Sequence, residues 1–112
     1  MRWSVSKSRK YNKLVRDRIP EIIMESGKKP VFHTANIPNF NLHLYDKMRE
    51  ELTEFMEYPC VEEAADMYEV FLTMLSNWGI GYEDVVATAH TKREERGGFR
   101  RGIVLEEVIS DE

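Results

Sequence analysis

Apolar residues recur at helical spacing along most of the chain, and proline, glycine and asparagine set the breaks between them. Pro20 fits the first turn of a helix reading PEIIMES, and Gly27 stops it. Residues 28–40, KKPVFHTANIPNF, hold two prolines and two asparagines and read as a loop, with a short extended piece at Val31–His33. A second helix is expected from about Asn41 to Glu57. There Leu44, Met48, Leu52 and Phe55 recur at spacings of four, four and three, and Pro59 ends the run. A third is expected from Val61 to Asn77 or Trp78, with Ala64, Ala65, Tyr68, Phe71, Leu72 and Leu75 as a wide apolar face. Gly79 and Gly81 break the chain before a fourth helix, Tyr82 to Arg96, which Gly97-Gly98 closes. A β-prone run at Ile103–Leu105 is expected to pair with Val31–His33.

The predicted class is therefore all-α, with four helices. The link Tyr58–Cys60 between the second and third is so short that they must lie antiparallel as a central hairpin. No internal repeat or low-complexity segment interrupts the chain. Residues 1–10 carry four basic residues and no acidic one and read as a basic arm, residues 11–105 as the domain proper, and residues 106–112 as an acidic tail.

At 112 residues this is one domain's worth of chain. Four helices of this size leave apolar surface uncovered, so a homodimer or homotetramer is expected. Sixteen Lys and Arg against twenty Asp and Glu give a net charge of −4, which argues against a nucleic-acid binder. One cysteine, Cys60, excludes an internal disulfide framework and a thiolate zinc site. No apolar run reaches the ~18 residues of a membrane span. MRWSVSKSRK lacks the apolar stretch of a secretory signal, so a cytoplasmic setting is expected.

Candidate chemistry lies in the acidic residues. The second helix carries Glu50, Glu51, Glu54 and Glu57, and the third carries Glu62, Glu63, Asp66 and Glu69. At about 100° per residue, Glu51 sits about 20° outside the apolar arc of its helix, with Glu54 and Glu50 continuing around from it. Charge runs are usually solvated helix faces, but two features point elsewhere. Glu50 and Glu54 are like charges at i,i+4, which costs helix stability, and only Lys47 interrupts this arc. Glu51-x-x-Glu54 and Glu63-x-x-Asp66 also repeat one spacing on consecutive helices. Converging carboxylates repel unless a cation lies among them. All-oxygen ligands select a hard ion, Mg²⁺ or Mn²⁺. None of the three histidines completes the Glu-x-x-His pair of a di-iron bundle.

Two basic clusters complement the acids. Lys92 and Arg96 lie a turn apart before Gly97, Gly98, Phe99, Arg100 and Arg101, and Lys13, Arg16 and Arg18 lie near the N-terminus. Helix-end cations also complement the macrodipole, which alone would explain the first cluster. Together with an acidic ion site, however, the two clusters are what a metal-bridged phosphate substrate needs.

The strings YNKLVRDRIPEII at 11–23, KMREELTEF at 47–55, EEAADMYEV at 62–70 and KREERGGF at 92–99 resemble the MazG-like all-α nucleotide pyrophosphohydrolases. The similarity is to their short single-domain branch, the phosphoribosyl-ATP pyrophosphohydrolase-like proteins, and runs over roughly residues 11–105. It implies that Glu51, Glu54, Glu63 and Asp66 bind Mg²⁺, and that Glu50 completes the EExxE form. It implies phosphate binding by Lys92 and Arg96, with Lys13 and Arg16 as further candidates. Ala64 stands where the family commonly has Leu.

The implied reaction is hydrolysis of a nucleoside triphosphate between the α and β phosphates, giving a monophosphate and pyrophosphate. Glu51 or Glu50 would orient or deprotonate the attacking water. House-cleaning of (d)NTPs and hydrolysis of phosphoribosyl-ATP are both compatible with the motifs. A reading from another class makes the acidic face a docking surface for a basic protein partner. Such a face would need charge and not matched spacing.

Overall fold

The computed structural model describes residues 7–110; the start of the basic arm and the last two acidic residues lie outside the described residues. Among the described residues there are four α-helices: α1 (Ile19–Glu25), α2 (Ile37–Glu57), α3 (Val61–Asn77) and α4 (Tyr82–Arg96). The chain is all-α. It divides into two compact units, Met1–Trp78 and Gly79–Glu112, so α1, α2 and α3 belong to the first and α4 to the second.

Each helix ends where local chemistry ends it. Pro20 lies in the first turn of α1, where its missing N–H would have had no partner. At the other end the Gly27 N–H donates to Met24 O and the Lys28 N–H to Ile23 O, at 3.0 and 3.2 Å. This pair of bonds needs a left-handed residue, and Gly27 supplies it at φ 86°. α2 begins at Ile37, four residues before the expected Asn41. Asn36 is the reason: its side chain accepts from the Asn39 N–H at 3.1 Å, and Pro38 fits the first turn. Residues that read as loop formers are here the start signal of a helix.

The β pairing expected between Val31–His33 and Ile103–Leu105 does not form; among the described residues there is no strand. Two three-residue runs are too short to hold a ladder without a sheet to join. Val31, Ile103, Val104 and Leu105 are all exposed.

The α2–α3 hairpin is the centre of the first unit. Asn41, early in α2, accepts from the Asn77 side chain at the end of α3 at 3.3 Å. Glu51, late in α2, meets Glu63 and Asp66 early in α3. That order fixes the two helices as antiparallel, as the short link requires. The buried apolar residues among those described are few: Leu44 at 2% exposure, Val70 at 7% and Leu75 at 8%.

α3 packs with a different face from the one its apolar residues predict. Ala64, Ala65, Tyr68 and Phe71 are exposed, whereas Glu63, Asp66, Met67, Val70, Met74 and Asn77 are wholly or partly buried. Leu72 and Leu75, from the expected face, are drawn inward. On α2, Leu52 is likewise 47% exposed, and Glu51 takes a buried place beside Leu44 and Phe55. A short three-residue turn fixes which faces meet, and here it turns a partly acidic face inward.

Candidate metal centre

Glu51, Glu63 and Asp66 each offer a carboxylate oxygen, and these atoms lie within 4.8 Å of one another. The helices explain the convergence. Glu63 lies in the first turn of α3, where the positive end of the helix dipole favours an acid. Asp66 follows three residues on, so it shares that face. The antiparallel turn then brings Glu51 of α2 against both.

Glu51 is the one charged residue that is fully buried among those described, at 5% exposure. Glu51 Oε2 and Glu63 Oε2 are buried without a hydrogen-bond partner. An ionised carboxylate in such a place is costly unless something positive or hydrogen-bonding meets it. Burial pushes the Glu51 acid above the usual carboxylate range, opposed by Lys47 and reinforced by the charges of Glu54 and Asp66.

Three cations of the chain reach this cluster and its neighbour Glu50. Lys47 Nζ lies 3.3 Å from Glu51 Oε1 and 3.4 Å from Glu50 Oε2. Lys13 Nζ donates to Glu50 Oε1 at 2.9 Å, and Arg16 Nη2 donates to Asp66 Oδ1 at 2.7 Å. The segment before α1 thus ties one carboxylate on each helix of the hairpin. Glu50, hydrogen-bonded to Lys13 and close to Lys47, has its acid held below the usual range, so two glutamates adjacent in sequence are shifted in opposite directions.

The residues named from sequence therefore fall into separate places. Glu51, Glu63 and Asp66 converge. Glu54 is half-buried and close enough to raise the Glu51 acid, but lies outside the converging set. With Asp46, Arg49, Glu50 and Thr53 it lines a shallow open depression of about 440 Å³ along α2. Glu50 also faces a smaller recess of about 40 Å³ shared with Lys13 and His43. Lys13 and Arg16, expected to meet phosphate, are engaged by Glu50 and Asp66. Lys92 and Arg96 are exposed on α4, in the second unit. Cys60 caps α3 without a side-chain hydrogen bond.

Lys47 was legible in sequence only as an interruption of the acidic arc. Its spacing of three to Glu50 and four to Glu51 was the signal that it would touch both.

The donor set fits a hard divalent ion. All three converging groups are carboxylates, two of their oxygens are buried without partners, and the thiolate or imidazole that a softer metal prefers is missing from the set. Carboxylates alone do not choose between Mg²⁺ and Mn²⁺.

Comparison of the chain with models of protein families, with curated proteins and with solved structures gives no match. No described helix is long and apolar enough to cross a membrane.

Proposed function

We propose that this protein is a metal-dependent nucleoside triphosphate pyrophosphohydrolase that cleaves between the α and β phosphates. One observation carries the reading. Carboxylates from two consecutive helices converge within 4.8 Å, and two of their buried oxygens have no partner of their own. Glu51, Glu63 and Asp66 would hold the ion, with Glu54 beside them. The four sequence motifs of the MazG-like proteins supply the substrate class, and house-cleaning of (d)NTPs is the preferred role. Phosphoribosyl-ATP is the alternative substrate within the same class.

When bound, the divalent ion neutralises phosphate charge and makes an adjacent water more acidic. The chain's residues do the rest. Glu51 and Glu50 are the two candidates to orient or deprotonate the attacking water. Lys13 and Lys47 favour the charged form of Glu50, which makes it a weak proton acceptor. Lys92 and Arg96, on α4, are the phosphate-binding candidates that the resemblance supplies. Arg16 and Lys13 exchange carboxylate for phosphate when substrate arrives. The exposed face of α3 is covered by a second copy of the chain, making a homodimer or homotetramer.

The test is release of pyrophosphate from a panel of ribo- and deoxyribonucleoside triphosphates and phosphoribosyl-ATP, with and without Mg²⁺. Mg²⁺-dependent release that is lost in Glu51→Gln supports the reading and ranks the substrates. Silence across the panel from a folded protein overturns it in favour of a protein-docking role for the acidic face.

A further inference from the structure

Lys47 has a place that neither a surface lysine nor a phosphate ligand would take. Its side chain is only 17% exposed, and its ammonium lies between Glu50 Oε2 at 3.4 Å and Glu51 Oε1 at 3.3 Å. Both contacts follow from one helix, at spacings of three and four, so they form as soon as α2 forms. The division of oxygens on Glu51 is the informative detail. Lys47 engages Oε1, and Oε2 is left buried without a partner, as is Oε2 of Glu63.

We propose that Lys47 is a resident counter-cation of the carboxylate cluster: it holds Glu51 by Oε1 before an ion arrives, and its charge limits how tightly the ion is then held. The proposal rests on the reading of the cluster as a divalent-ion site. The physical argument has two parts. Without an ion, Glu51, Glu63, Asp66 and the neighbouring Glu54 repel one another, and a positive charge 3.3 Å from Glu51 relieves this. With an ion bound, the same positive charge is a like-charge neighbour of the divalent cation. Lys47 therefore stabilises the free hairpin and weakens the bound one. It is a positioning residue, acting through Glu51.

The experiment compares wild type with Lys47→Met, Lys47→Gln and Lys47→Arg. Unfolding temperature is measured in EDTA, and Mn²⁺ and Mg²⁺ binding by titration calorimetry without nucleotide. Lys47→Met and Lys47→Gln should melt lower in EDTA and bind Mn²⁺ more tightly, on the order of tenfold. Lys47→Arg keeps the charge and should stay near wild type in both. A lysine that merely packs would lower the melting temperature without tightening the ion. Neutral variants that bind Mn²⁺ as wild type does, or more weakly, overturn the proposal while the ion site stands. So does Lys47→Arg behaving like Lys47→Met. Failure of wild type and all variants to take up either ion overturns the ion site itself, and the proposal with it. Lys47→Gln, close in length to lysine, keeps the test open should Lys47→Met not fold.

Discussion

Arg16 donates to Asp66 at 2.7 Å, tying the segment ahead of α1 to a member of the carboxylate cluster on α3. The guanidinium is more than half exposed, so the pair contributes little to stability, under about 1 kcal/mol. Its consequence is for ligands. Arg16 competes with a divalent ion for Asp66, and it is a cation in reach of a phosphate brought there. Arg16→Gln should therefore tighten Mg²⁺ binding in the absence of nucleotide and raise KM for a triphosphate. The two effects have opposite signs. Calorimetry with Mg²⁺ and steady-state kinetics check them, and a rise in KM with weakened Mg²⁺ binding would show that Arg16 merely braces Asp66.

Glu51 is buried, charged and half-satisfied, which is poor chemistry for stability and good chemistry for an ion site. Glu51→Gln removes the buried charge while keeping the shape. In EDTA the variant should be more stable than wild type, by about 0.5–2 kcal/mol. It should also lose the ion-dependent rise in melting temperature and at least ~10²-fold in turnover. Urea denaturation with and without Mg²⁺ measures the first two. Destabilisation in EDTA would mean that the Lys47 contact outweighs the cost of burial.

Much of this is legible in the chain. The ends of α1, α3 and α4 follow from Pro20, the prolines and glycines between helices, and Gly97. Acidic spacing on two helices joined by three residues gave Glu51, Glu63 and Asp66. The start of α2 is not legible in the sequence because Asn36 and Pro38 serve loops and helix starts alike, and only the bond to Asn39 decides. The packing face of α3 is not legible because its apolar residues spread over more than one side. Hydrophobicity alone ranks Tyr68 and Phe71 above Glu63, whereas the turn geometry ranks them the other way. Glu54 stands near enough to raise the Glu51 acid, although the three carboxylates that converge do not include it.

The Lys13–Glu50 pair gives a pH signature. Glu50, hydrogen-bonded to Lys13, has its acid below the usual 4.5, so its contribution is present above 4.5 and is lost as pH falls through the lowered value. Lys13, hydrogen-bonded to Glu50, is raised above 10.5, so its contribution is complete below 10.5 and is lost as pH rises through the raised value. Between these limits the difference in stability between wild type and Lys13→Met should be flat and small, under about 1 kcal/mol. It should vanish on the acid side below the ordinary glutamate range. Denaturation in EDTA across that range checks it. A difference that persists unchanged in acid would mean that Lys13 contributes by packing and not by charge.

The exposed side of α3 makes the last prediction. Ala64, Ala65 and Phe71 lie on the face that the sequence marks as apolar, and in the chain alone they meet solvent. Trp78, capping the helix, is 65% exposed. A helix whose apolar face is uncovered gains by pairing, and burying one large side chain is worth about 1.5–3 kcal/mol. Wild type should sediment as a homo-oligomer at micromolar concentration. Phe71→Asp should weaken association tenfold or more, by the usual ~1.4 kcal/mol per decade. Because Phe71 is off the face that carries Glu63 and Asp66, the variant's Mg²⁺ affinity should stay as in wild type. Sedimentation velocity with Mg²⁺ titration separates the two. A wild-type monomer at all concentrations would mean that the face is tolerated in water, and a joint loss of assembly and ion binding would mean that the hairpin needs its partner to hold the cluster.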